Sequence, residues 1–243
     1  MNTWLFDLGN SRLKYAPLHA DGGVGDVAHL AHDGTHFEAG WEARLPPRVD
    51  VAEIASVAST SVRVALLAAL AARGGRLSLA CTLRRCGGIE IAYAQPRKLG
   101  VDRFLALLGA RGRTQEPVLI AGVGTALTLD LLDADGRHRG GRIAPSPATM
   151  RAALHARAAQ LPAQGGRYIE FATDTEDALA SGCEGAALAL VERSRHAAHA
   201  LLGAAPRLYV HGGGGGMLLA SLPDAVATPN LVLEGLARWA REA

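Results

Sequence analysis

Cysteine is scarce in this 243-residue chain, with only Cys81, Cys86 and Cys183 present. An odd count without a repeating framework excludes a disulfide scaffold and suits a reducing compartment. Cys81 and Cys86 are spaced like half a metal site, but no second pair follows, so buried or inert thiols are expected. Lysine is scarcer still: of 25 basic side chains only Lys14 and Lys98 are lysines, which makes each less likely to be generic surface decoration. A net charge of +2 supplies no basic field, so neither nucleic acid nor an anionic membrane is an expected partner. No apolar stretch reaches the ~18 residues of a spanning helix. The longest, Val64 to Ala72, fits a buried helix, and Asp7 interrupts the N-terminal apolar run before a signal core can form, so a cytoplasmic location is expected. Gly-Lys-Ser/Thr is absent, which excludes a P-loop, and no placement of G-x-G-x-x-G fits the glycine run at 212–216.

What remains is a core-forming composition, 49% hydrophobic and 20% charged. A chain of this length buries roughly 70–75% of its unfolded surface, as one large domain or two modest ones. Strand patterns occur at Trp4–Leu8, Arg12–Pro17, Val51–Val57, Val118–Ala121, Ala126–Leu132 and Arg207–Val210. Helical patterns occur at Val62–Ala72, Asp102–Arg111, Ala148–Gln160, Thr175–Leu202 and Leu231–Glu242. The alternation indicates an α/β class. Gly109 to Pro117, polar and ending in proline, predicts a boundary between residues 1–114 and 115–243.

The most informative stretch is Leu5 to Tyr15, which reads as a hairpin carrying Asp7, a Gly9-Asn10-Ser11 turn and Lys14. A tight turn exposes N–H groups that can hold phosphate oxygens, a carboxylate can hold a metal ion, and a lysine can reach a transferring phosphoryl group. An ordinary hairpin with a solvated Asp and Lys has the same pattern. Residues 118–130 repeat its grammar, with Gly124 matching Gly9 and Thr125 matching Asn10. Two such hairpins would open two similar lobes whose cleft grips a nucleotide's phosphates from both sides. The glycines at 212–216 follow a strand, where backbone can approach a base or phosphate.

Leu99-Gly100-Val101-Asp102-Arg103 opens an amphipathic helix. Asp102 is by default an N-cap; in a phosphotransferase it can also accept the proton of an attacking hydroxyl, as a weak base, and Arg103 could then hold a substrate carboxylate. His29, His32 and His36 lie near Asp33 with ligand-like spacing, yet the segment reads as an irregular surface connection with solvated histidines. His196 and His199 lack a third ligand, and Ser146 matches no nucleophile elbow.

Taken in order, these segments resemble the type III pantothenate kinases, within the acetate and sugar kinase, chaperone ATPase and actin superfamily. Asp7-Leu8-Gly9-Asn10-Ser11 with Lys14 is similar to the family's D-x-G-N-[TS] phosphate motif. Tyr93-Ala94-Gln95-Pro96 and Leu99-Gly100-Val101-Asp102-Arg103 resemble its Y-x-x-P and L-G-x-D-R substrate segment, and Gly124-Thr125-Ala126 its second phosphate motif. Gly140-Gly141-Arg142-Ile143-Ala144-Pro145, Thr175 with Ala178, Ser181 and Gly182, and Asn230 to Leu236 resemble its later motifs.

The resemblance implies two ribonuclease H-like lobes with a nucleotide cleft, and ATP-dependent phosphorylation of pantothenate, the first step towards coenzyme A. By the same likeness Asp102 is the proton acceptor. Asp7, Leu8, Gly9, Asn10, Ser11, Arg12, Leu13, Lys14, Gly124 and Thr125 face ATP; Tyr93, Gly100, Val101, Asp102, Arg103 and Thr175 face pantothenate. Magnesium at Asp7, a monovalent cation (potassium or ammonium) and a homodimer are further family expectations; small residues Ser181, Gly182, Gly185, Ala186 and Ala189 would permit close packing within or between subunits. The chain departs from the pattern at Gly122, where the family has the Asp associated with the monovalent cation, at Gly215, where it has Asp, and at Ser146, where it has Gly. Gly122 predicts weak or absent potassium dependence. The departures leave open a catalytically weakened, nucleotide-binding accessory protein, and the fold leaves open a kinase of another small acid or sugar.

Overall fold

The computed structural model is described for residues 2–242. The chain opens with β1 (Thr3–Leu8), β2 (Arg12–Leu18) and β3 (Ala28–Ala31), then β4 (Val51–Ser56), α1 (Thr60–Ala71) and β5 (Arg76–Leu79). A short ribbon of β6 (Arg85–Cys86) and β7 (Ile89–Glu90) precedes α2 (Val101–Arg113). The pattern then recurs with β8 (Val118–Val123), β9 (Ala126–Leu132), β10 (His138–Pro145), α3 (Pro147–Arg157), α4 (Thr175–Leu202), β11 (Arg207–His211), α5 (Gly216–Ser221) and β12 (Val226–Ala227), and α6 (Leu231–Glu242) closes the chain.

The two five-stranded sheets have one topology. The first runs β3-β2-β1-β4-β5 and the second β10-β9-β8-β11-β12, so each strand of one has a counterpart at the same place in the other. In each, the opening hairpin is antiparallel and the two following strands are parallel. The repeat read from residues 5–15 and 118–130 is therefore a repeat of whole sheets. Compact units follow from it: one comprises residues 2–115, 135–138 and 230–242, the other 116–134 and 139–229.

The first unit differs from a simple split after residue 114, because the last helix belongs to it. The reason is packing. Gly109 on α2 and Gly235 on α6 let the two backbones touch, since a Cβ on Gly235 would stand 1.8 Å from the Leu105 carbonyl oxygen and one on Gly109 2.2 Å from that of Leu231. The amphipathic face of α6 buries Leu231, Val232, Leu233, Leu236 and Trp239, and Arg113 forms a two-pronged ion pair with Glu234 at 2.6 Å. The other face of the first sheet buries Phe6, Leu8, Leu13 and Ile54 against Leu66 and Leu70 of α1. The second unit packs its sheet on α4 and α5 through Leu119, Leu129, Val191, Leu208 and Leu218.

Several local readings change. Residues 28–31 form an edge strand rather than irregular connection, because Leu30 enters the core while its neighbours face out. Asp102 is not the N-cap of α2; Gly100 holds that place and Asp102 lies in the first turn. Cys81 is exposed, Cys86 half-buried and Cys183 buried, and all three thiols are free.

Candidate active site

The β1–β2 hairpin sets the charged groups by register. Asp7 lies opposite Lys14, and Leu8 opposite Leu13, across the antiparallel pair. Alternation sends Phe6, Leu8, Leu13 and Tyr15 into the core, which turns Asp7 and Lys14 to the opposite face. The turn closes on itself as Gly9 N donates to Arg12 O at 2.9 Å, leaving Asn10, Ser11 and Arg12 exposed.

Asp102 reaches this face from α2. A Cβ on Gly100 would lie 2.6 Å from Asp102 Oδ1, so the glycine leaves room for the carboxylate to fold back over the helix start, where the dipole favours negative charge. Leu99, which precedes the N-cap Gly100, is pinned by a buried bond from Thr82 Oγ1 to its carbonyl oxygen at 2.9 Å. Asp7, Lys14 and Asp102 sit within electrostatic reach. Desolvation pushes the Asp7 carboxyl up to about 7; the Lys14 ammonium pulls it down and the Asp102 carboxylate adds to the rise. A carboxyl poised near neutrality beside a second acid and a lysine is a grouping that could hold a cation and an anionic group.

Next to Asp102, Arg103 is 7% exposed, and its Nη1 donates to the Tyr93 hydroxyl at 3.4 Å. Tyr93 is stacked on His138, ring centroids 6.0 Å apart and planes 17° from parallel. His138 is buried and arrives on residues 135–138, which pack into the first unit through Glu90 N donating to Gly136 O at 2.8 Å. Nothing in the sequence singled out His138. Its placement depends on the backbone of Gly136, whose φ of +80° and closeness to the Gly88 carbonyl exclude a side chain.

The first unit thus gathers Asp7, Leu8, Gly9, Asn10, Ser11, Arg12, Leu13, Lys14, Tyr93, Gly100, Val101, Asp102 and Arg103. Gly124, Thr125 and Thr175 belong to the second unit. There Gly124 N donates to Ala126 O at 2.9 Å, and Thr125 O accepts from Thr149 Oγ1 at 2.6 Å, so the turn is held against α3. Thr175 is the exposed first residue of α4, capped by Asp174, which accepts from Asp177 N at 2.9 Å. Gly122 pairs with Thr128 and His211, and a Cβ there would stand 2.7 Å from both His211 Nε2 and Thr128 Oγ1. In the glycine run, Gly212 has φ +90° and Gly214 N donates to Val123 O at 3.0 Å, so the run packs on the end of β8. Ser146 is the buried N-cap of α3. His29 and His36 are exposed, as a surface segment predicts, whereas His32 is buried.

The model of the type III pantothenate kinase family matches residues 4–197. The chain belongs to the type III pantothenate kinase family. A type III pantothenate kinase of Stenotrophomonas maltophilia (strain K279a) is 59% identical over 240 residues, 99% of this chain and 98% of that one. One of Xanthomonas axonopodis pv. citri is 56% identical over 243 residues, all of this chain and 99% of the other. Among solved structures, a Campylobacter jejuni protein described as a Baf family transcriptional activator superposes with a TM-score of 0.63 at 19% identity, covering 98% of this chain and 97% of that one. A Sinorhizobium meliloti protein described as a 2-dehydro-3-deoxygalactonokinase gives 0.61 at 16% identity, covering 98% of this chain and 96% of that one. These structures share the fold, two ribonuclease H-like sheets.

Proposed function

We propose that the first unit supplies the acid–base and acceptor-binding groups of the family's reaction, transfer of the γ-phosphoryl group of ATP to the primary hydroxyl of pantothenate, the entry step to coenzyme A. One observation supports this most: Asp7, Lys14 and Asp102 converge beside the Arg103–Tyr93 pair. The acceptor oxygen attacks the γ-phosphorus, the bond from phosphorus to the bridging oxygen breaks, ADP leaves, and the hydroxyl proton passes to the Asp102 carboxylate. Positioning dominates such loose transition states, so a weak base suffices. Arg103, with Tyr93, holds the acceptor's carboxylate, and Lys14 with the N–H groups of residues 10–12 meets the phosphates.

Magnesium fits this site. No cluster of three or more His, Cys, Asp and Glu exists among the described residues, and magnesium commonly takes one or two carboxylates and completes its shell with water and phosphate oxygens. Asp7 would hold it, and the ion supplies charge neutralisation on the phosphates when bound. A monovalent cation fits poorly at residue 122, where no carboxylate is present and His211 and Thr128 crowd the space a side chain would need. We therefore assign the activity little or no dependence on potassium or ammonium.

A cytoplasmic homodimer completes the proposal. No described helix is long and apolar enough to cross a membrane. The second unit exposes Phe171 (93%) and Ile143 (65%). Part of the small-residue face of α4 is covered by the chain itself: Ile169 N donates to Ser181 Oγ, and the Tyr168 ring lies 3.6 Å from where a Cβ on Gly185 would be. Light scattering at micromolar concentration is expected to give twice the 25.2 kDa chain mass, and a single-chain mass overturns the dimer.

Mass spectrometry of the product tests the reaction. With ATP and magnesium, pantothenate is expected to gain one phosphoryl group, while sugars and other hydroxy acids stay unmodified. Phosphorylation of another acceptor in preference to pantothenate, or nucleotide binding without transfer, contradicts the reading and favours the sugar-kinase or accessory alternatives.

A further inference from the structure

A turn that binds phosphate must present its N–H groups and keep its carbonyl oxygens out of the way, because a carbonyl dipole pointing at the anion repels it. Three of the four carbonyls of residues 9–12 are tied. Arg12 O accepts from Gly9 N within the turn, Ser11 O accepts from His32 N at 3.1 Å, and Gly9 O accepts from His32 Nε2 at 3.0 Å. One residue therefore holds two of the three, with its backbone and its side chain.

The ring is fixed for this task. Gly34 N donates to Nδ1 at 3.1 Å, which leaves the proton on Nε2 and makes that atom the donor to Gly9. His32 is 8% exposed and meets the Phe37 ring edge-on at 5.3 Å. The segment carrying it is stiff: Asp33 Oδ1 accepts from Thr35 N, Thr35 Oγ1 and His36 N at 2.6–2.7 Å, and Ser59 Oγ at the start of α1 donates to Gly34 O at 2.6 Å. Three donors hold the Asp33 carboxyl down at about 2, so this brace persists through the neutral range.

We propose that His32 is a positioning residue for the nucleotide: it clips the Gly9–Arg12 turn so that its carbonyls face the protein and its N–H edge faces the phosphates. The inference rests on the reading of that turn as the phosphate contact. It goes beyond that reading by assigning the turn's shape to a side chain more than twenty positions downstream of Gly9, just past β3, the edge strand that pairs with β2.

Two substitutions separate clipping from packing. His32→Phe keeps the ring volume and the Phe37 contact but loses the donor; His32→Gln carries an amide N–H at the place of Nε2. Calorimetric affinity for magnesium with a non-hydrolysable ATP analogue is expected to fall roughly 3–10-fold in His32→Phe, with the ATP KM rising alike. The pantothenate KM stays within about twofold, and His32→Gln recovers most of the loss. Parental analogue affinity in His32→Phe overturns the clip. So does an equal loss in both variants that tracks a lowered Tm, which is the mark of packing alone. Because the analogue is read without an acceptor, a parent chain that binds it but leaves pantothenate unmodified breaks the substrate assignment and leaves His32 decided by affinity. A parent that binds no analogue overturns both.

Discussion

The two hairpins that open the two sheets are built alike and furnished differently. In the first, Asp7 sits between Lys14 on the antiparallel side and Ala55 on the parallel side. In the second, the matching Gly122 sits between Thr128 and His211. One duplicated frame thus holds an acid with a small neighbour, and in its copy a small residue with a large neighbour. Beside Ala55 the strand leaves room for the Asp7 carboxylate, whereas beside His211 and Thr128 a Cβ at residue 122 would stand 2.7 Å from each. Asp7, Lys14 and Asp102 all belong to the first unit, and the matching hairpin of the second carries the Gly124–Thr125 turn with neither an acid nor a lysine at the places of Asp7 and Lys14.

The comparison breaks most visibly at Asp7. Asp7→Asn is expected to lower kcat/KM for magnesium-ATP by roughly 10³-fold, the loss of a metal-holding charge. The same variant gains stability. Asp7 titrates at about 7 when folded and at 3.8 as a model carboxyl, so the folded chain holds more protons between those values and loses stability as pH rises through the window. Asp7→Asn should therefore melt above the parent at pH 8, with the gap closing towards pH 4. Equal melting at pH 8 would show that Asp7 is not desolvated.

Gly122→Asp tries to restore the symmetry. Its side chain must displace His211 and Thr128, so a destabilisation of about 1–3 kcal/mol is expected in denaturant unfolding, relieved in the double variant with His211→Ala. A single variant with parental stability and new potassium activation contradicts the crowding. A subtler effect follows from the Asp7 proton, which magnesium must displace. Affinity for the magnesium-nucleotide complex is expected to rise about fivefold from pH 6 to 7 and about twofold more before levelling off above pH 8, as one carboxyl of pKa about 7 ionises. A flat profile in calorimetry removes the metal from Asp7. The smallest change is on the acceptor side. Tyr93→Phe removes a long 3.4 Å bond to Arg103 while keeping the ring against His138, so the pantothenate KM should rise only about 2–3-fold, with the ATP KM unmoved.

Much of this was legible in the chain itself. The Asp7 to Lys14 pattern, the Gly100–Arg103 helix start and both long C-terminal helices follow from local periodicity and turn residues, which act over a few positions. The repeat was visible in two hairpins because their small-residue turns interrupt apolar runs at the same offset. What was hidden is non-local. His32 reads as one of three surface histidines until β3 pairs with β2 and brings it under Gly9. His138 gains meaning only when the turn before β10 packs into the first unit, and α6 joins that unit through two glycines far apart in sequence. Edge strands such as β5 and β12 are too short for a pattern, being set by pairing with a neighbour.

Pantothenate-dependent ADP release in a buffer free of potassium and ammonium, with ATP and magnesium, tests most directly whether the first unit's charges suffice. The parent chain is expected to turn over there and to gain less than about twofold on adding potassium, while Asp102→Asn falls by roughly 10²–10⁴-fold in kcat. No turnover until potassium is added, or an Asp102→Asn variant as fast as the parent, contradicts it.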